Sequence, residues 1–306
     1  MATRHRFDGV FGVTITPFTA DGLALDDDGV IQLCETMIGE GIEHLVPCGN
    51  TGEFYALTPA ERHRVIELTV ATAGGRASVV AGVGGAIRDA VEQIRLAERV
   101  RVDAVMVHHP VHPHQTEDGY LAYMEALAGS SALPVVPYLR APVLSEDGLR
   151  RLLDIEAVVA VKFGWNDLLA FGTAASLGQQ RPEIAWICGT AESWAPFFWA
   201  AGAVGFTSGL VNVTAAHSLA LLSALEAGDR EATISIWRSI RPFEELRARR
   251  GDGQNVAVVK EALRQVGRPA GPVRPPASDV GAAEKVAIAE LLETWNTAAP
   301  VVVAAR

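Results

Sequence analysis

The chain is poor in lysine. Of its 26 basic residues only Lys162, Lys260 and Lys285 are lysines. Any chemistry that needs a neutral amine must therefore use one of three positions, because arginine keeps its proton in proteins. Cysteine is scarce as well: Cys34, Cys48 and Cys188 are scattered, odd in number and without paired spacing. That excludes a disulfide framework and fits reduced thiols in a cytosolic protein. No uncharged apolar run is long enough to span a bilayer, and the polar, basic stretch Met1–Asp8 does not read as a signal peptide. Positive charge is in deficit, with a formal net charge of −10. This argues against a nucleic-acid or anionic-membrane partner. A glycine-rich dinucleotide fingerprint is missing after the first strand-like run, where Thr16-Pro17-Phe18 stands instead.

What is present is length and apolar content. A chain of 306 residues, 49% of them hydrophobic, can build one barrel-sized domain or two smaller ones. Gly9–Phe18 reads as a first strand ending at Pro17, and 25–39 has helical periodicity with Asp26, Asp27 and Asp28 where a helix dipole favours them. His44–Gly49 is a second apolar run. Thr58-Pro59-Ala60-Glu61 then opens a helix with an N-cap threonine and proline at the first position. The alternation continues with strands at 78–84, 104–110, 134–139, 157–164, 186–189 and 204–208, and with helices at 87–100, 119–128 and 145–153. Eight strands alternating with helices every ~20 to 35 residues predict an α/β fold, a (β/α)₈ TIM barrel over 1–228. An open doubly wound sheet is the alternative. From Asp229 the strand signal ends. Helices at 232–248, 255–266 and 282–297, broken by the Gly/Pro-rich turn 267–276, predict a C-terminal helical extension over 229–306 packed on the barrel.

The stretch Ala157-Val158-Val159-Ala160-Val161-Lys162-Phe163-Gly164 places a lysine in a strand otherwise made of small, aliphatic and aromatic residues. Burying its ammonium is costly, and the usual escape is a lowered pKa. The neutral amine that results is a nucleophile toward carbonyls. Snorkelling of the side chain to water is the alternative. Functional residues of a TIM barrel lie at the C-terminal strand ends. Those ends carry Gly49-Asn50-Thr51-Gly52-Glu53 after the second strand, Tyr138, Lys162, Gly189-Thr190, and Gly205-Phe206-Thr207-Ser208-Gly209. The backbone N–H groups of the first of these turns suit a carboxylate or phosphate. An anion turn, a phenol and a lysine thus converge on one barrel mouth.

Gly49-Asn50-Thr51-Gly52-Glu53 resembles the Gly-X-Thr-Gly-Glu signature of the dihydrodipicolinate synthase and N-acetylneuraminate lyase family, and Gly12–Phe18 is similar to that family's first strand. The resemblance runs over nearly the whole chain. It implies that Lys162 forms a Schiff base with a pyruvate-like 2-keto acid and that Tyr138 shuttles protons. It also implies that Thr51, with Gly49 and Gly52, grips the carboxylate. No metal or organic cofactor is implied, and a homotetramer or other homo-oligomer is expected.

Departures shape the finer expectation. Asn50 stands where the biosynthetic synthases carry a second threonine, and His112 where they offer a tyrosine to a neighbouring subunit. Val143 stands where an arginine receives the second carboxylate of their aldehyde substrate. Dihydrodipicolinate synthesis is therefore not the expected main activity. Gly271–Pro276, Arg140 and Gly164 resemble features of 5-dehydro-4-deoxyglucarate dehydratase, while Glu192 and Ser208 fall near positions where sialic-acid lyases bind polyol hydroxyls. With Thr207 and Gly189 these complete the candidate substrate contacts. Four histidines stand within seven residues, at 108, 109, 112 and 114. Strand alternation and two intervening prolines separate them, so a substrate contact or intersubunit relay by His112 is expected rather than zinc. A barrel that binds a keto acid without turning it over is the alternative of another class.

Overall fold

Short polar side chains set the helix starts. Thr58 and Glu61 form a reciprocal capping box, and Asp26, Thr116, Ser145, Asp167 and Asp229 each accept a first-turn amide. In the computed structural model, which describes residues 7–297, eight parallel strands close a barrel in sequential order, the last pairing with the first. They are β1 (Gly9–Val13), β2 (His44–Val46), β3 (Ser78–Val83), β4 (Ala104–Val107), β5 (Val135–Leu139), β6 (Ala160–Phe163), β7 (Ala185–Cys188) and β8 (Gly205–Ser208). Each is followed by a helix: α1 (Asp27–Gly39), α2 (Pro59–Ala73), α3 (Ile87–Arg99), α4 (Glu117–Ala128), α5 (Glu146–Leu153), α6 (Leu168–Leu177), α7 (Ala191–Ala200) and α8 (Ala216–Ala227). Of the stretch Met1–Asp8, read as no signal peptide, residues 1–6 fall outside the described residues, as does the chain beyond Thr297.

Most of the strands are shorter than their apolar runs. The first ends at Val13 because the backbone beyond it is claimed by other partners. Ile15 N–H donates to Asn212 Oδ1 at 2.9 Å, Val13 O accepts from Asn212 Nδ2 at 2.9 Å, and Pro17 has no N–H to give. The lysine strand keeps only Ala160–Phe163 of its predicted span, with Val158 in an isolated bridge to Val135. Alternation then divides the core in two. Phe11, Val13, Val46, Val80, Ala104, Met106, Val136, Tyr138, Ala160, Ala185 and Ile187 point into the barrel. The residues between them face the helices and form the larger outer core.

The extension consists of α9 (Arg230–Ala248), α10 (Asn255–Gln265) and α11 (Ala282–Thr297), with α9 packed on α7 and α8. Buried charge ties it to the barrel mouth. Lys260 Nζ, fully buried, lies 2.6 Å from Glu53 Oε1, donates to Pro272 O at 2.8 Å, and sits 4.1 Å from the centre of the Phe18 ring. Glu53 Oε2 accepts the Arg274 backbone N–H at 3.0 Å, and the Arg274 guanidinium forks onto Glu61 at 2.7 and 2.9 Å. Within Gly271–Pro276, Arg274 is thus a structural clamp between extension and α2.

Breaking this buried pair should cost far more than removing it. Lys260→Met alone leaves Glu53 buried without its cation and should destabilise by about 3–5 kcal/mol. The double variant Glu53→Gln/Lys260→Met should recover most of that loss. Urea unfolding of both variants is the check, and equal losses would show that the pair carries no such coupling.

Candidate active site

The same alternation that fills the barrel floor with apolar side chains puts polar ones at its top. One step beyond Ala160, Val136 and Ala104 along their strands stand Lys162, Tyr138 and Met106, all pointing inward. Lys162 is only 4% exposed. Its Nζ lies 3.9 Å from the centre of the Tyr138 ring and 3.7 Å from Met106 Sδ. Tyr138 and Lys162 are directly paired across β5 and β6. Among the described residues no carboxylate reaches Lys162 to hold its charge. Burial, and secondly the positive charge of Arg140, push its pKa down to about 7. A neutral amine is therefore a major form near neutrality. Burial likewise raises the Tyr138 phenol.

Backbone room shapes the pair. A Cβ on Gly164 would run into the Tyr138 ring, and one on Gly189 would come within 2.7 Å of Phe163 O and 3.0 Å of Lys162 Cγ. The turn after β2 is locked in the same way. A Cβ on Gly49 would strike Val13, and one on Gly52 would lie 2.8 Å from Thr14 O. Glu53, with φ 58°, reverses the chain and sends its carboxylate outward to Lys260. Cys48, also at φ 58°, presents its carbonyl to His108 Nε2 at 2.8 Å. That bond makes Nε2 the protonated nitrogen, and burial holds the ring neutral by pushing its pKa to about 3. Asn50 and Thr51 are left facing the interior, with Asn50 Nδ2 3.5 Å from the Tyr138 hydroxyl.

Lys162, Tyr138, Thr51, Asn50, Thr207, Gly189 and Arg140 line one cavity of about 190 Å³. Five predicted contacts do not: Gly49 and Gly52, whose role is to shape the turn, and Ser208, Glu192 and His112. Ser208 alternates with Thr207 on β8, so its side chain leaves the barrel and bonds Val211 N and Ser218 Oγ. Glu192 is fully buried behind it, accepting from Ser218 Oγ at 2.6 Å. Burial, with the like charge of Glu244 behind it, raises that carboxyl. His112 lies on an exposed loop, where its Nδ1 accepts the His114 N–H at 3.1 Å, and it does not line the cavity. Among the described residues no group of three or more His, Cys, Asp or Glu is placed to hold a metal ion.

The cavity also gathers residues that sequence reasoning missed: Asn166, Ser193, Arg247, Asp252 and Asn255. Asn166 and Ser193 follow lining strands and were reachable from the fold rule. Arg247, Asp252 and Asn255 come from the extension and carry no local signal.

A closed parallel barrel with a desolvated lysine and a tyrosine side by side at its mouth defines the class. The chain belongs to the Dihydrodipicolinate synthetase family, which matches residues 6–295. It is 33% identical over 286 residues to 4-hydroxy-tetrahydrodipicolinate synthase of Acidothermus cellulolyticus, covering 92% of this chain and 90% of that protein. It is 34% identical over 290 residues to probable 5-dehydro-4-deoxyglucarate dehydratase 2 of Streptomyces avermitilis, covering 94% and 86%. The crystal structure of dihydrodipicolinate synthase from Oceanobacillus iheyensis superposes with a TM-score of 0.93 at 40% identity, covering 96% of this chain and 98% of that one.

The lowered pKa has a stability consequence of definite sign. Between about pH 7 and 10.5 the unfolded chain holds a proton on Lys162 that the native chain has lost. Native stability therefore climbs with pH through that window, and the burial penalty is full below it. Lys162→Met removes the penalty, so its gain in Tm over wild type should be largest at pH 6–7 and shrink toward pH 10. Thermal melts across that range check this, and a gain that grows with pH would contradict it.

Proposed function

We propose that this chain is a Schiff-base-forming lyase or aldolase acting on a pyruvate-like 2-keto acid through Lys162. The observation that carries the reading is a lysine buried without a counter-ion, its pKa drawn to about 7, beside the ring of Tyr138. Neutral Lys162 attacks the C2 carbonyl to give a carbinolamine. Loss of water leaves an iminium, an electron sink that eases departure of a proton or a carbon–carbon bond at C3. Tyr138 moves protons to and from the carbinolamine and the substrate oxygen. Thr51, with the backbone N–H groups of 49–52, holds the C1 carboxylate and sets C2 over the amine. A homo-oligomeric assembly belongs to the same proposal.

A second reading is decarboxylating dehydration of a sugar diacid, as the name of the Streptomyces avermitilis relative suggests for that protein. It is favoured by the upper cavity wall, where Asn166, Thr190, Ser193 and Asn255 offer amides and hydroxyls suited to a polyol chain. Dihydrodipicolinate synthesis is disfavoured by Val143, which is packed against the outer core and can give the aldehyde's second carboxylate no cation.

Borohydride reduction with pyruvate should place an adduct on Lys162 by mass spectrometry, and Lys162→Arg should abolish it with the fold retained. An adduct on Lys260 or Lys285, or none with any 2-keto acid, would remove the mechanism. An adduct that never releases product would favour a binding barrel instead.

Tyr138→Phe should slow turnover about 10²–10⁴-fold, and turnover within threefold of wild type would make Tyr138 a packing residue. Assayed beside 5-dehydro-4-deoxyglucarate, pyruvate with aspartate semialdehyde should give kcat/KM below about 10⁴ M⁻¹s⁻¹. A higher value would restore the synthase reading.

A further inference from the structure

We propose that Arg247, supplied by the C-terminal extension, is the specificity-determining residue that receives a carboxylate at the far end of the substrate, so that the preferred 2-keto acid is a diacid. The inference rests on the Schiff-base reading of Lys162 and deepens it.

Arg247 stands in the last turn of α9, outside the barrel, yet its side chain is nearly fully buried and lines the same cavity as Lys162. Its place is built. Nη1 donates to Glu244 Oε1 at 2.6 Å, and Nη2 donates to Asn255 Oδ1 at 2.6 Å. The guanidinium rests on the backbone just past β8, where a Cβ on residue 209 would collide with Nη2; glycine is what lets the cation reach in.

Joining the extension to the barrel does not require this arginine. Lys260–Glu53 and Arg274–Glu61 already do that, away from the lysine's cavity. A buried guanidinium on a cavity wall, held rigid by two side chains, has a planar fork matched to a carboxylate. Of its five N–H groups, Glu244 and Asn255 take two. Nε is among the buried atoms left without a hydrogen-bond partner in the described residues.

The position within the ring of strands sets the polarity. The C1 carboxylate is assigned to the turn after β2, and C2 to Lys162 on β6. Arg247 and Asn255 descend on the mouth from the extension, so a group meeting them belongs to the chain beyond C3. Arg140 stands at the end of β5, three strands from β8, and is exposed. It shields the mouth electrostatically, whereas Arg247 reads a fixed point inside it.

The test compares two 2-keto acids of equal length, 2-oxoadipate and 2-oxohexanoate, by the concentration giving half-maximal borohydride trapping on the full-length chain. The wild type should trap the diacid at a concentration at least about tenfold lower, the usual worth of a charge-assisted hydrogen bond. Removing the guanidinium alone would strand Glu244 in the interior. The main variant is therefore Glu244→Gln/Arg247→Gln, with Arg247→Lys, which keeps charge and loses the fork, as the second. The preference should fall to about one in the double variant and to an intermediate value in Arg247→Lys, with circular dichroism reporting the fold.

Equal trapping of both acids by wild type overturns the proposal even if neither variant folds. A preference that survives in a folded double variant also overturns it. So does a loss of pyruvate trapping as large as that of the diacid, which would place Arg247 at C1. The absence of any adduct with any keto acid is a different result: it takes down the Schiff-base reading itself.

Discussion

Everything at the barrel mouth depends on keeping one ammonium out of water without giving it a counter-ion. A lysine in a strand of alternating side chains has two choices, the helix-facing side or the barrel interior, and Lys162 has the parity of Ala160. Inside, it meets an aromatic face and a thioether, both of which tolerate a cation weakly and neither of which accepts its proton. The result is a group poised between charged and neutral forms near pH 7. The glycines at 164 and 189 serve the same end, because a side chain at either would push the phenol or the lysine stem away.

Lys260 is the instructive contrast. It is buried even more completely, and desolvation lowers its pKa as well, to about 8. Yet Glu53 lies against it, and the carboxylate pulls the pKa back up. The same residue type is thus held as a charged strut in one place and left unpaired in the other. The acidic residue of the Gly-X-Thr-Gly-Glu turn belongs to the strut. Its left-handed backbone turns the carboxylate away from Thr51, so one five-residue motif faces the cavity with its middle and the extension with its end.

Periodicity and strand-end placement made the fold legible, because eight apolar runs alternating with capped helices leave few other closures. They also put Lys162, Tyr138 and Thr207 on the inward parity near their strand ends, whereas Thr51 lies in the turn after β2 and was legible only from the glycine-flanked motif Gly49–Glu53. Parity could equally have removed Ser208 beforehand: it follows Thr207 by one residue and must face the other way. Glu192 was a harder case, since a carboxylate in the first turn of a helix after a strand can serve the dipole, a ligand or, as here, a buried hydroxyl network. The premature end of β1 was not readable at all, for it depends on Asn212, nearly 200 residues away, taking over the backbone of Ile15. Arg247 was invisible for the same reason. Its surroundings combine Glu244, one turn back on the same helix, with Gly209 and Asn255, which the fold brings to it from other elements.

Asn50 sets the remaining chemical constraint. In a relay of hydroxyls each group gives one proton as it takes another, and an amide does not do this at ordinary pH. Asn50 Nδ2 can only donate toward the Tyr138 oxygen, across 3.5 Å, which steadies the phenolate slightly against the burial that opposes it. A proton arriving at Tyr138 therefore has no onward hydroxyl at residue 50, and an onward step has to use another hydroxyl of the cavity, such as Thr51 or Thr207, or an oxygen of the bound molecule.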